Sequence, residues 1–281
     1  MTLDRNARFD DAVTSLAWPM TIDLTGRTAV VTGGSEGIGA ATVRALAAHG
    51  ADVAFCARNA DGGRALTAEL SDSPGAVRSY VADMSDAAST EDFLDAVGRD
   101  LGDIDILVNN VGDSPSRNFL YMSDTDWAHL FELNLMSAVR CTRRLLPAMR
   151  RQRWGRVVMI GTGAAKYPSP ALIDYSASKA AMIATAKALA AKYGADGVLV
   201  NSLLPGLIRT TMWERTAEEV AQASGTTADA VFAERATRVP VGRFGTADEI
   251  AAVVLFLVSP YGSYLNGCAI DVDGGMGGAL F

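Results

Sequence analysis

Cysteine and histidine are scarce: the 281 residues hold three Cys and two His. Cys56, Cys141 and Cys268 lie far apart with no C-x-x-C spacing, and His49 and His129 stand alone. That pattern speaks against a disulfide-stapled scaffold and against a Cys/His metal centre; three reduced core thiols and two ordinary histidines are the plain reading. Long apolar runs are missing too. The longest, residues 250–258, is about half of the roughly 18–20 residues that a membrane-crossing helix needs, and reads as a buried helix. An excess of positive charge is likewise absent. With 25 Lys+Arg against 32 Asp+Glu and a net charge of −7, the chain is a poor match for nucleic-acid phosphates or anionic lipid. Residues 1–20 carry Asp4, Arg5, Arg8, Asp10 and Asp11 without the continuous apolar core of a secretory signal. They read as an N-terminal arm ending at Trp18-Pro19, and a cytoplasmic location is expected.

What is present is a strand–helix rhythm. Hydrophobic residues make up 49% of the chain, enough for one α/β unit of this length. Short Val/Ile-rich runs at 28–32, 52–57, 77–82, 104–109, 156–160, 198–203 and 268–272 predict strands. Most are apolar on both faces, as strands buried between two helical layers should be. Helical stretches at 37–49, 61–70, 87–101, 126–151, 175–193 and 247–258 alternate with them. This order predicts right-handed crossovers and a Rossmann-type, doubly wound parallel sheet of about seven strands with helices on both faces, in a single domain over 21–281. The segment 210–239 breaks the rhythm. Following a strand's carboxyl end, where open α/β sheets bind ligands, it reads as a substrate lid; an inert surface excursion is the alternative.

After the first strand comes Thr32-Gly33-Gly34-Ser35-Glu36-Gly37-Ile38-Gly39. Gly33, Gly37 and Gly39 permit a tight turn, a close approach of backbone to a pyrophosphate and close helix–strand packing. Together with Ser35, Glu36 and Ile38 they would present the free N–H groups of a helix N-terminus to the phosphates. The end of the second strand carries Ala57-Arg58 rather than a carboxylate. A carboxylate there would bind ribose hydroxyls of NAD, whereas a guanidinium pairs with a 2′-phosphate, so NADP(H) is favoured over NAD(H). Two observations weigh against that preference: a solvated loop arginine is the lesser alternative for Arg58, and Glu36 does nothing to attract a phosphate.

Tyr175-Ser176-Ala177-Ser178-Lys179 puts a phenol and an ammonium four residues apart near a helix start, on one helical face. A free tyrosine titrates near pH 10; a nearby cation lowers that value and makes the phenol a usable acid toward a carbonyl or base toward an alcohol. Y-x-x-x-K arises by chance in many helices. Its weight comes from the dinucleotide turn upstream.

These elements, with Asp83, Asn109-Asn110-Val111-Gly112, Asn134, Pro205-Gly206 and Asp273-Gly274-Gly275, occur in order over residues 21–281. In this the chain resembles the short-chain dehydrogenase/reductase family. Val241-Gly242-Arg243-Phe244-Gly245 and the 271–275 ending are similar to its β-ketoacyl-carrier-protein reductase-like branch. The resemblance implies that Tyr175 is the general acid/base, that Lys179 also binds the nicotinamide ribose, and that Asn134 holds a water linking Lys179 to solvent. It implies that Asp83, with Met84 beside it, binds the adenine, and that Asn109 sits by the adenine-side ribose with Asn110 also at the cofactor. Pro205, Gly206, Ile208 and Thr210 would lie at the nicotinamide carboxamide. It further implies a homotetramer or homodimer joined through helices 126–151 and 175–193, and a small-molecule carbonyl or alcohol substrate. Two departures stand out: Thr162 occupies the position usually held by serine, and Val111 replaces the usual alanine. Threonine keeps the hydroxyl needed to polarise a substrate oxygen, although its methyl restricts the rotamer and a purely structural role is the alternative. Trp213, Phe232 and Tyr167 would line an apolar pocket or serve as packing. The expected function is therefore a metal-independent, NAD(P)(H)-linked interconversion of carbonyl and secondary alcohol. The other reading is a catalytically impaired NADP(H)-sensing protein, invited by Thr162 alone.

Overall fold

The computed structural model describes residues 19–278, so nearly all of the expected N-terminal arm lies outside the described residues. A parallel sheet of seven strands runs in the order β3-β2-β1-β4-β5-β6-β9. Its members are β1 (Thr28–Thr32), β2 (Asp52–Ala57), β3 (Val77–Val81), β4 (Ile106–Asn109), β5 (Gly155–Ile160), β6 (Val198–Pro205) and β9 (Ala269–Val272). Strands β4, β5 and β6 are buried along their whole length, which explains their largely apolar sequence. Edge strand β3, Val77-Arg78-Ser79-Tyr80-Val81, is half-exposed and polar in alternation.

Helices α1 (Gly37–Ala48), α2 (Ala60–Glu69), α3 (Ala87–Leu101), α4 (Asp124–Phe131), α5 (Ser137–Gln152), α6 (Ile173–Tyr193), α7 (Thr211–Ser224), α8 (Ala228–Ala236) and α9 (Ala247–Val258) connect these strands. One face of the sheet packs Val31, Val53, Phe55, Val108 and Ile160 against α1 and α9, through Val43, Leu46, Ile250, Val254 and Val258. The other packs Val30, Leu107, Val157 and Val200 against α3, α5 and α6. Each such side chain, fully buried, contributes about 1.5–3 kcal/mol of transfer free energy. The core therefore lies in two layers flanking the sheet, and the catalytic edge is left to loops.

Three elements depart from the sequence expectation. Instead of one helix over 126–151, a π-turn at Glu132–Met136 separates α4 from α5. Such a turn inserts one extra residue and is a recurrent device for aiming a functional side chain, here Asn134. Helix α6 begins at Ile173, before Tyr175, because the Asp174 carboxylate accepts the Tyr175 N–H at 2.8 Å. A two-residue parallel ladder, β7 (Ile208–Arg209) with β8 (Gly245–Thr246), is too short to leave a pattern in sequence.

The 210–239 segment folds as α7 and α8, capped by the hydroxyls of Thr210 and Thr227. The two helices share a small core of Ala217, Ala221, Val231 and Phe232. Phe244 closes it, with its ring centroid 5.3 Å from Trp213 and 5.0 Å from Phe232, both edge-on. Trp213 and Phe232 thus serve packing within this segment. The Arg243-Phe244-Gly245 run acquires a structural reason as well: Arg243 grips Glu249 through two bonds of 2.9 and 2.7 Å, and Glu249 completes the capping box of α9 with Thr246.

Candidate active site

Sheet order reverses between β1 and β4, and open α/β sheets bind ligands outside the carboxyl ends of strands at such a point. The β1–α1 turn sits there. Gly33 and Gly37 take positive φ (67° and 53°), a region that L side chains rarely adopt. At Gly39 a Cβ would fall 2.1 Å from the Gly33 carbonyl oxygen and 2.7 Å from Asn110 Nδ2; at Gly34 it would fall 2.5 Å from Phe55. Asn110 fastens this turn to β4: its amide donates to the carbonyls of Thr32 and Gly33, each at 3.0 Å. Glu36 is the N-cap of α1 without a side-chain cap bond, so the first N–H groups of the helix stay available. The cradle suits a pyrophosphate, since backbone, not side chain, lines it.

The remaining expected cofactor residues follow at successive strand ends. Arg58 is exposed just past β2. Asp83, past β3, is exposed and accepts from the N–H and hydroxyl of Ser85 at 2.9 and 2.7 Å. These bonds hold its carboxyl below the ordinary value, with the charge of Arg58 adding in the same direction. Pro205 and Gly206 end β6, and Thr210 packs its methyl and Cβ against Gly37. Ser35 lies against Gly62 at the start of α2. Ile38 is partly buried against the core.

Three of the expected residues carry buried side chains. Met84 has its side chain buried in the core, leaving only its backbone near the strand ends. Ile208 is similarly buried and packs toward Gly245. Asn109 is turned into the protein, where its amide donates to Thr142 at 3.2 Å and approaches Met159 Sδ at 3.2 Å. Asn110, not Asn109, faces the glycine turn.

Thr162, Tyr175, Lys179 and Asn134 converge past β4 and β5. The Thr162 hydroxyl accepts the Ala164 N–H at 3.2 Å and lies within reach of the Tyr175 phenol, whose ionisation it favours. The Lys179 ammonium, 2% exposed, donates to the carbonyls of Ile160 (3.0 Å) and Val111 (3.4 Å). Asn134 is fully buried, and both amide hydrogens are committed, to the Asp113 carbonyl at 3.0 Å and to Ser178 Oγ at 3.1 Å. Its Oδ1 accepts the Asp113 N–H at 2.9 Å. The side chain therefore acts as a brace between the loop after β4 and α6, and a bound water is not what its amide hydrogens serve. Gly112 completes the fit, because a Cβ there would lie 2.9 Å from Lys179 Nζ and 3.1 Å from Asn134 Oδ1.

Electrostatics at this cluster run opposite to the simple expectation. Burial pushes the Tyr175 phenol up to about 12; the Thr162 hydrogen bond pulls down, and Asp113 pushes up further. Lys179 for its part donates to main-chain carbonyls, and its charge is not among the causes of the Tyr175 shift. Burial also brings Lys179 down to about 8, so it is mostly protonated at neutral pH.

Ser178, Asp113 and Gly112 were not singled out individually from sequence. Nor was a buried carboxylate, Asp174, 1% exposed and adjacent to Tyr175. Arg117 approaches it at 3.8 Å and Asp126 at 3.3 Å, tying the loop after β4 to the first turns of α4 and α6. Neighbourhood to Tyr175 in sequence was the only available signal. Among the described residues no group of His, Cys, Asp and Glu is arranged to hold a metal ion, and no helix is long and apolar enough to cross a membrane.

Comparisons with known proteins agree with this geometry. Residues 25–277 match the family model described as enoyl-(acyl carrier protein) reductase. The chain is 35% identical over 251 residues to the 3-oxoacyl-(acyl-carrier-protein) reductase of Escherichia coli (strain K12), covering 89% of this chain and 97% of that relative. It is similar to the L-sorbose reductase of Gluconobacter frateurii, solved with NADPH and L-sorbose, at a TM-score of 0.90 and 32% identity over 93% of this chain and 100% of the other. A variant of actinorhodin polyketide ketoreductase with NADPH gives a TM-score of 0.85 at 30% identity, covering 90% and 98%. With its seven-stranded parallel sheet and near full-length similarity to such reductases, the chain belongs to the short-chain dehydrogenase/reductase family of oxidoreductases, in the ketoacyl-reductase-like branch.

Proposed function

We propose that this protein interconverts a carbonyl compound and a secondary alcohol with NADP(H), using Tyr175 as the general acid/base. The observation that carries the reading is the phenol of Tyr175 beside the Thr162 hydroxyl, one helical turn from the buried Lys179 ammonium, past the strand ends that also carry the glycine turn. The turn fits a dinucleotide because Gly33, Gly37 and Gly39 let its backbone fold tightly before α1, leaving the N–H groups of the helix N-terminus uncovered by side chains. In this reading the 33–39 turn holds the pyrophosphate, Arg58 the 2′-phosphate, Asp83 the adenine side, and Lys179 with the 205–210 segment the nicotinamide end. When bound, the nicotinamide supplies or accepts the hydride.

The chain's own residues do the rest. A phenol at about 12 is fully protonated at neutral pH, hence ready to donate to the oxygen of a carbonyl as negative charge develops there. Lys179, cationic below about pH 8, stabilises the phenolate left behind. Thr162 exchanges its bond to the phenol for one to the substrate oxygen, a preorganised donor of the oxyanion-hole type. Holding the reacting groups in register supplies up to roughly 7–11 kcal/mol of barrier reduction. Segment 210–239, resting on Gly37 through Thr210, is the lid in this scheme. The hydroxyl retained at Thr162, beside the phenol, gives the impaired-sensor reading no support.

NADPH present in the structures of two similar reductases supports the cofactor preference. Arg58→Ala is expected to weaken NADPH binding by about tenfold or more, as loss of a charge-assisted bond does, with NADH changed less than about threefold. Fluorescence titration of both cofactors measures this, and equal losses would contradict the 2′-phosphate role. Thr162→Ala should cost about 10²-fold in kcat, within the range for one oxyanion donor, whereas Thr162→Ser should stay within about threefold of wild type. Steady-state NADPH oxidation over a ketone panel decides the matter; an unimpaired Thr162→Ala enzyme would shift the polarising role elsewhere. The apolar groove between α5 and α6, lined by Leu146, Met182 and Leu189, suits the homotetramer or homodimer that the family resemblance implies. Reduced thiols at Cys56, Cys141 and Cys268, none of them in a disulfide, suit a cytoplasmic setting.

A further inference from the structure

The loop after β4 carries a negative charge that the reaction scheme does not use. Asp113 is exposed, yet its position is fixed: its N–H donates to Asn134 Oδ1 at 2.9 Å, and its carbonyl accepts from Asn134 Nδ2 at 3.0 Å. One carboxylate oxygen accepts the Ser114 N–H at 2.8 Å. Arg117, four residues on, is engaged with Asp126 and Asp174. Among the described residues no cation lies within ion-pair distance of the Asp113 carboxylate. Its chain neighbour Gly112 packs against the Lys179 ammonium. Asp113, its carboxylate without an ion-pair partner among the described residues, is thus held one residue from the Gly112–Lys179 contact by the same asparagine that braces α6.

We infer that Asp113 makes this site select its substrate by charge: it favours carbonyl compounds with a hydrogen-bond donor, hydroxyl or ammonium, next to the carbonyl, and disfavours those with a carboxylate there. The inference rests on the reductase reading above. The Asn134 clamp on Asp113 and the contact of Gly112 with Lys179 place this charge at the mouth of the site, and in the same sense Asp113 opposes ionisation of the phenol. A charge that penalises an anion on the phenol oxygen penalises equally an anionic substituent placed beside that oxygen. A donor group finds in the free carboxylate oxygen a strong acceptor. Like-charge juxtaposition at a binding surface is also how wrong partners are turned away.

The test compares kcat/KM for NADPH-dependent reduction of dihydroxyacetone, aminoacetone, butanone and acetoacetate by wild type and Asp113→Asn. Ratios between substrates within one enzyme cancel any general loss of activity. Wild type is expected to prefer dihydroxyacetone and aminoacetone over acetoacetate by about tenfold or more, and Asp113→Asn to reduce that preference about fivefold or more. Aminoacetone should lose more than dihydroxyacetone, because asparagine keeps an acceptor oxygen but no charge. Unchanged ratios in the variant, or a wild-type preference for acetoacetate, would overturn the inference. Should wild type reduce none of the four, the reductase reading itself fails. The charge preference is then read from binding of the same compounds to the NADPH complex by cofactor fluorescence, and equal acetoacetate affinity in the two proteins would overturn it.

Discussion

Tyr175→Phe should lower kcat by about 10³-fold while leaving the NADPH dissociation constant within about threefold, since a positioned general acid contributes roughly 10²–10⁴-fold. The substitution removes one oxygen and keeps the ring, so packing around α6 is preserved. What disappears is the proton donor and the hydrogen-bond partner of Thr162. Lys179 cannot substitute, because its ammonium is turned to the carbonyls of Ile160 and Val111. Single-turnover NADPH oxidation and fluorescence titration separate the two quantities. A variant with wild-type turnover would remove Tyr175 from the proposed mechanism, and a variant that no longer binds NADPH would make its role structural.

Gly39→Ala should raise the NADPH dissociation constant by about 100-fold or more, since each charge-assisted bond lost between the turn's N–H groups and the pyrophosphate is worth about 1.5–3 kcal/mol. A Cβ at this site meets the Gly33 carbonyl oxygen at 2.1 Å, and that atom is backbone with nowhere to rotate. Asn110 is displaced as well, at 2.7 Å, and its two bonds to the turn carbonyls go with it. Overpacking of this kind costs about 1–3 kcal/mol, a fall of several degrees in Tm for a domain of this size. Gly98→Ala, in the body of α3 with open space around the glycine, should instead stabilise by about 0.5–1 kcal/mol. Thermal melts and NADPH titrations of both variants check the contrast. Normal NADPH affinity in Gly39→Ala would remove the cradle from the cofactor site.

Periodicity sufficed where one physical rule dominated. Helices over 87–101 and 247–258 were legible to the residue, because Asp86 and Thr246 cap them and their apolar faces repeat at helical spacing. The buried strands were legible because both faces are apolar. Within the site, spacing brought out Tyr175 and Lys179, and the glycine turn was visible as a motif. Spacing could not reveal the π-turn at Asn134, whose one-residue shift leaves hydrophobic periodicity almost untouched. Nor could it give the sign of the Tyr175 shift, which is set first by burial of the phenol in the folded chain. Trp213 and Phe232 looked available for a pocket; only tertiary contact with Phe244 shows them spent on packing. Asp113 and Arg117 act through the fold of one loop, a property no local pattern encodes.

NADPH carrying deuterium at the reactive C4 position of the nicotinamide, incubated with a carbonyl substrate and wild-type protein, tests the central claim most directly. Mass spectrometry of the alcohol should find deuterium on the carbinol carbon, from one face of the nicotinamide only, with transfer at least about 10³-fold slower in Tyr175→Phe. Oxidised cofactor without deuterium in the alcohol, or transfer at the wild-type rate in Tyr175→Phe, would contradict it.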